Sequence, residues 1–410
     1  MSVQFEAARS AFVAGVTAFE AGELTRAETL FLDALRLVPG RPSALINLAA
    51  VRHRLGRPAD ALLALDQALE AEPGDAAAWY HRGQLLQALE RPLDALGAYE
   101  RVLTLMPQHG HAWSQRGSLL KDMGRLPEAA HCFRQALAHG GDAEMNRYFL
   151  ASLPAQMNDR KDLQGGIAPP LEVPATAPRQ YVEALFDSYA EGFDEHLVGK
   201  LGYRTPWLIA ELLRSLWPAA PAAQAAAPTP GATSPPSGTS SQYRHVRAAL
   251  DLGCGTGLMG PLLAPHCDAI DGIDLSRLML EKAQVLGCYR NLLHGEVADY
   301  LAGTDARFQL VVAADVFVYI GDLDAVFVGV ARVLDTDGVF AFSVEEAGAG
   351  VGRYELRASS RYAHSEGYVR TLAAARGFDV AALERTTLRH EQRRPIGGLL
   401  VALRAGRVRR

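Results

Sequence analysis

Pro39, Pro73 and Pro107 recur at a constant interval of 34 residues, and nothing else in the chain restricts its fold as tightly. A period of that length belongs to a helix-turn-helix unit stacked on copies of itself, because one unit alone cannot bury its apolar face. Other positions fall into the same register. Ala27, Ala61, Ala95 and Ala129 coincide, as do Phe31, Leu65, Tyr99 and Phe133. Gly15, Ala49, Gly83 and Gly117 form a small-residue slot, Trp79 and Trp113 share another, and Gly22, Gly56, Glu90 and Gly124 occupy the turn. Small residues where two helices cross, large ones alongside and a proline to stop the second helix are what such a unit requires. Four units are predicted between Arg9 and Asp142, with a capping helix over 143–152.

This pattern resembles the tetratricopeptide repeat. The resemblance implies a binding module whose groove is lined by the first helix of each unit, here Asn47, His81, Gln84, Gln115, Ser118 and Lys121. Repeats that hold chaperone tails carry Asn at the slot filled here by Val16, Ala50, Gln84 and Ser118, so a chaperone tail is not the expected partner. A protein partner through this groove is expected, without an identity.

At 410 residues the chain exceeds what one hydrophobic core organises, and the repeats leave room for a second domain. A net charge of −5 argues against nucleic acid as an obligatory partner, although the tail residues Arg404, Arg407, Arg409 and Arg410 are locally basic. Cys132, Cys254, Cys267 and Cys288 show neither C-x-x-C nor zinc spacing, so no metal is expected and the thiols suit a reducing cytoplasm. No signal peptide and no membrane span are legible. Residues 158–179 lose the helical period and gain Gly165, Gly166, Pro169, Pro170, Pro174 and Pro178, which reads as a linker. An Ala/Pro/Ser/Thr-rich stretch at 218–242 reads as a disordered insertion within the second domain.

The second domain is organised by Asp251-Leu-Gly253-Cys254-Gly255-Thr-Gly257, a buried strand that stops at a glycine-rich turn and opens into a helix. Such a turn lets the backbone approach a nucleotide-type ligand. Two glycine frames compete. Gly255, Gly257 and Gly260 satisfy the dinucleotide pattern, whereas Gly253, Gly255 and Gly257 end the strand one residue after Leu252. Further strands are predicted over 268–274, 291–294, 308–315, 339–344, 378–383 and 398–403, alternating with helices over 277–286, 323–334 and 366–376. Alternation of this kind gives a mostly parallel sheet covered on both faces, with ligands beyond the strand ends where Asp251, Asp274, Glu296 and Asp315 fall. The expected fold class is α + α/β: a repeat array over 8–152, a linker over 153–179 and a Rossmann-like doubly wound domain over 180–410.

The second glycine frame, followed by acids at successive strand ends, resembles class I S-adenosylmethionine-dependent methyltransferases. That resemblance implies S-adenosyl-L-methionine as cofactor. It implies that Gly253, Cys254, Gly255 and Gly257 back the methionine moiety and that Asp251 lies near its amino group. Asp274, with Leu275 beside it, would take the ribose hydroxyls, and Glu296 and Val297 the adenine. The fragments Tyr189–Asp194, Ala313–Leu323, Arg361–Ser365 and Leu388–Glu391 further resemble predicted methyltransferases that carry tetratricopeptide repeats. The acceptor is not implied. Ala314-Asp315-Val316-Phe317 replaces the Asn/Asp-Pro-Pro-aromatic motif, which weighs against adenine- and glutamine-modifying enzymes.

Candidate acid-base or acceptor-facing groups are Asp315, Tyr319, Glu345, Glu346, Tyr362 and His364, with His364, Tyr362 and Asp315 placed first. Phe186, Tyr189 and Phe193 share one side of a helix, and Tyr189 is expected at the cofactor pocket. Two other readings stay open: a repeat scaffold whose methyltransferase fold is inactive, and an NAD-dependent oxidoreductase on the first glycine frame.

Overall fold

The computed structural model describes residues 3–154, 172–190, 192, 199, 202–216, 245–391 and 394–406. Phe193, most of the predicted linker and all of the predicted 218–242 insertion lie outside them, as do Arg407, Arg409 and Arg410. The chain divides into two units, Met1–Pro170 and Leu171–Arg410.

The first unit is built from paired helices: α1 (Val3–Glu20) with α2 (Leu24–Leu37), α3 (Pro42–Arg54) with α4 (Pro58–Ala71), α5 (Ala76–Ala88) with α6 (Pro92–Leu105), and α7 (Gly110–Asp122) with α8 (Leu126–Ala138). A ninth, α9 (Ala143–Ser152), follows. The 34-residue period has a direct steric cause. A Cβ on Gly15, Gly83 or Gly117 would stand 2.7–2.8 Å from the ring of Phe31, Tyr99 or Phe133, so the small residue of one helix seats the ring of the next. The Trp79 and Trp113 indoles donate to the carbonyls of Pro73 and Pro107, at 3.0 and 2.8 Å, tying each first helix to the proline that ended the helix before it.

In the second unit, α10 (Arg179–Tyr189) and α11 (Thr205–Leu216) precede the sheet. Then come β1 (Ala249–Leu252), α12 (Gly260–Leu263), β2 (Ile270–Asp274), α13 (Arg277–Val285), β3 (Asn291–His294), α14 (Val297–Gly303) and β4 (Phe308–Ala313). The chain closes with α15 (Asp324–Val333), β5 (Leu334–Glu346), β6 (Tyr354–Leu356), β7 (Tyr362–His364), α16 (Glu366–Ala375), β8 (Phe378–Glu391) and β9 (Arg394–Ala405). The sheet runs β3-β2-β1-β4-β5-β7-β6, and β9 pairs antiparallel with both β5 and β8. Strands β3, β2, β1, β4 and β5 are parallel, so their carboxyl ends form one edge.

Two apolar layers sandwich this sheet. Leu250, Leu252, Val311, Phe340 and Phe342 face α15 and α16, whereas Ala249, Leu310, Val312 and Ala341 face α11 and the α12 region. The final strands extend well past their apolar runs. β8 and β9 stay paired to Glu391 and Arg394, where cross-strand backbone bonds hold together a largely polar stretch. Among the described residues no helix is long and apolar enough to cross a membrane.

Candidate functional site

The carboxyl ends of β1, β2, β3 and β4 open onto one cavity of about 380 Å³, with α10 forming its other wall. β1 is buried along its whole length and ends at Leu252, so the turn begins at Gly253 and the frame is Gly253-Gly255-Gly257. Gly253 has φ +62°, and a Cβ there would stand 2.5 Å from Val316 Cγ2; both facts demand glycine. Gly257 sits under the turn, where a Cβ would press on Leu286 and Tyr289.

Three acids occupy successive strand ends. Asp251 is 1% exposed and accepts a 2.7 Å hydrogen bond from the Tyr289 hydroxyl. Burial pushes its carboxyl up to about 7; the Tyr289 bond opposes that rise and the Asp274 charge adds to it. Asp274 accepts the backbone N–H groups of Gly255 and Ser276, each at 2.8 Å. Burial raises its pKa too, partly offset by those N–H donors. Glu296 caps α14 at the end of β3 with its side chain half-buried at the cavity. The helical wall is tied in by Asp187, whose carboxylate accepts the Ser276 hydroxyl at 2.5 Å. A second tie is backbone: the Ala177 N–H donates to the Tyr319 carbonyl at 2.9 Å, and the Gly321 N–H to that of Ala175 at 2.8 Å.

Beyond β4 the wall changes character. Asp315 adopts the left-handed conformation at φ +61°, its N–H donating to Ser343 Oγ at 2.9 Å. Arg389, 1% exposed, donates to the Asp315 carboxylate at 2.9 Å, to Glu391 at 2.8 Å and to Glu345. Arg361 shares the Glu391 carboxylate, and Arg357 reaches Glu345 at 3.1 Å. Burial pushes the Tyr203 and Tyr319 phenols up.

Asp251, Gly253, Cys254, Gly255, Asp274, Leu275, Glu296, Val297, Asp315 and Tyr189 all line this one cavity; Gly257 does not. His364 and Tyr362 are placed elsewhere. Both are fully buried on β7 outside the cavity lining. His364 Nε2 lies 3.0 and 3.1 Å from the carbonyl oxygens of Ile320 and Gly321, which makes it a donor. Burial lowers its pKa to about 4, so it is neutral near pH 7. The Tyr362 hydroxyl donates to the Pro174 carbonyl at 2.8 Å. Both side chains hold the loops around the site. Sequence reasoning did not single out Arg389, Arg361 or Tyr203 as cavity groups. The only signal was that Arg361 and Arg389 sit in two of the fragments that resemble repeat-bearing methyltransferases.

Residues 250–342 match the methyltransferase domain, and residues 46–110 match the tetratricopeptide repeat. The chain carries a methyltransferase domain and tetratricopeptide repeats. A malonyl-[acyl-carrier protein] O-methyltransferase of Geobacter sulfurreducens is 37% identical over 119 residues, 28% of this chain and 43% of the relative. The chain thus spans less than half the length of that relative. Among solved structures, N-methyltransferase NodS from Bradyrhizobium japonicum, in complex with S-adenosylhomocysteine, is 17% identical over 40% of this chain and 80% of its own, with a TM-score of 0.33. MamA is 21% identical over 32% of this chain and 78% of its own, with a TM-score of 0.31. The matched methyltransferase segment runs from β1 to β5 and so includes Asp251, Asp274, Glu296 and Asp315.

Proposed function

We propose that the chain is an S-adenosylmethionine-dependent methyltransferase whose donor lies in the cavity at the ends of β1, β2, β3 and β4. One observation carries it: within a matched methyltransferase domain, Asp251, Asp274 and Glu296 face the same cavity as a turn that only glycine fits at Gly253. The donor supplies an activated methyl group on a cationic sulfonium. A cavity edge with three carboxylates suits a ligand that also carries an ammonium and ribose hydroxyls. In this assignment Gly253 and Gly255 let the backbone approach the donor. Asp274 orients the ribose, Asp251 faces the amino group, and Glu296 with Val297 borders the adenine. Tyr189 and Phe186 exclude water from the helical side. The main work left to the protein is alignment and desolvation.

The repeats are assigned the recruitment of a protein partner or protein substrate, supported by the recurrent helix pairs and their repeat match. Deleting residues 1–152 is expected to spare donor binding and to lower methylation of the true acceptor. Methylation at the parental rate would remove that role.

The donor assignment is tested by calorimetric titration with S-adenosylmethionine, S-adenosylhomocysteine and NAD. Binding of the two sulfur nucleotides without NAD is expected, and Asp274→Ala should weaken it about 10- to 100-fold, the loss of charged hydrogen bonds. Binding of NAD alone would overturn the proposal, and parental affinity in Asp274→Ala would overturn the ribose role.

A further inference from the structure

The cavity is polarised. Its donor end, at β1, β2 and β3, presents Asp251, Asp274 and Glu296. The other end lies beyond β4 in the sheet order and presents Arg361 and Arg389, with Asp315 as its carboxylate; Arg179, at the start of α10, also lines the cavity. Glu345 and Glu391, which complete the ion network, do not line the cavity. Arg389 is fully committed: buried and bonded to three carboxylates, it holds Asp315 in place. Arg361 is different. Its side chain is 24% exposed, and its Nη1 goes to Glu391. A guanidinium has five N–H donors, so Arg361 retains donors for a ligand even with the Tyr319 phenol held beside it.

Among the described residues, the same end holds no group suited to removing a proton. Asp315 is ion-paired, Tyr203 and Tyr319 are buried phenols, and His364 directs Nε2 at two backbone carbonyls outside the lining. An acceptor that is nucleophilic without losing a proton suits this end. Among such acceptors a guanidinium selects a carboxylate, by paired N–H donors matched to its two oxygens. The opposite wall, with Val182, Leu185 and Phe186 on α10, favours an apolar body behind that carboxylate.

Building on the methyl-transfer assignment, we infer that the acceptor is the carboxylate of an apolar acid, oriented by Arg361 and converted to its methyl ester. In the step, a carboxylate oxygen forms the bond to the methyl carbon as the methyl–sulfur bond breaks. The electron pair goes to sulfur, which becomes a neutral thioether, and no proton is released.

Two measurements on the full chain test this separately from donor binding. Without any nucleotide, hexanoate and its uncharged amide are titrated into the parent, Arg361→Met and Arg361→Lys. Hexanoate should bind about tenfold or more tighter than the amide, the effect of one charge-assisted pair. Arg361→Met should erase that preference and Arg361→Lys restore part of it; equal affinity for acid and amide in the parent would overturn the inference. In the second, label from methyl-labelled S-adenosylmethionine is transferred into a cell extract. The label should leave as methanol under mild alkali, as esters do and N- or S-methyl groups do not. Alkali-stable label, or donor binding with no transfer, would also overturn it. Failure to bind S-adenosylmethionine while still preferring hexanoate would instead overturn the donor assignment.

Discussion

The two units place their polar residues differently, and that difference explains what each can do. Beyond the phenols of Tyr99 and Tyr148 and the thiol of Cys132, the fully buried polar residues described in the repeat unit are Asn146 and Ser152, and no carboxylate, lysine, arginine or histidine is among them. In the second unit the equivalent set includes Asp251, Asp271, Glu345, His364 and Arg389. A stack of helices gains its stability from contacts repeated between neighbours, and charge can stay on its surface. A catalytic cavity must place charges out of water, where they are costly unless paired and specific once paired. The repeat unit is therefore tolerant of charge changes. The second unit is brittle at a few named residues.

The largest effect should come from Arg389→Met. It leaves the partly buried Asp315 without its cation and the buried Glu345 with Arg357 alone, and breaking one partner of a buried ion network costs about 3–5 kcal/mol. Hydrogen exchange read unit by unit should show lost protection in β5, β8 and β9, with the α1–α8 helices unchanged. Unchanged protection around β5 would mean the network contributes nothing to stability, and the contrast between units would fail.

A smaller, pH-dependent effect is expected at Asp251. Its ordinary value is 3.8 and burial raises it to about 7. Between those values the folded protein keeps a proton that the unfolded chain has lost. Stability should therefore fall as pH rises through that window and level off above it, by no more than a few kcal/mol in all. Asp251→Asn should flatten the slope, as followed by denaturant midpoints across pH. An unaltered slope would assign the dependence to another group.

The same contrast governs what could be read from the chain before its structure. The repeats were legible because each contact lies within a neighbouring helix pair, so Gly83 and Tyr99 declare themselves at a fixed interval. The placement of the glycine turn and of the acids at 251, 274, 296 and 315 on one cavity was legible because a strand end and its cavity-facing residue are adjacent in sequence. The ion network was not. Arg389 meets Asp315 across 74 residues and Glu345 across 44, and no local pattern encodes such pairing. β6 and β7 were missed for a related reason. At three residues each they have no apolar run, and they exist only because β7 finds the end of β5. His364 looked chemical in sequence because imidazole titrates near neutrality; burial out of water removes that property, although the carbonyl oxygens of Ile320 and Gly321 oppose the shift.

The smallest predicted effect compares two residues in one strained conformation. Glu90 and Asp315 are both left-handed, at φ +56° and +61°. Asp315 is held there by Ser343 and Arg389 at the cavity, so its strain is fixed by the site. Glu90 is exposed, in the turn slot that Gly22, Gly56 and Gly124 fill at φ +73° to +77°. For a residue with a Cβ this conformation costs about 1–2 kcal/mol. Glycine removes that strain but loses about 0.5–1 kcal/mol to the greater freedom of the unfolded chain. Glu90→Gly should therefore stabilise the repeat unit by about 0.5 kcal/mol, seen as a small rise in denaturant midpoint with donor binding unaltered. A fall in the midpoint would show that the Glu90 side chain contributes more than its backbone strain costs, and would give the repeat unit a specific polar contact of the kind found in the second unit.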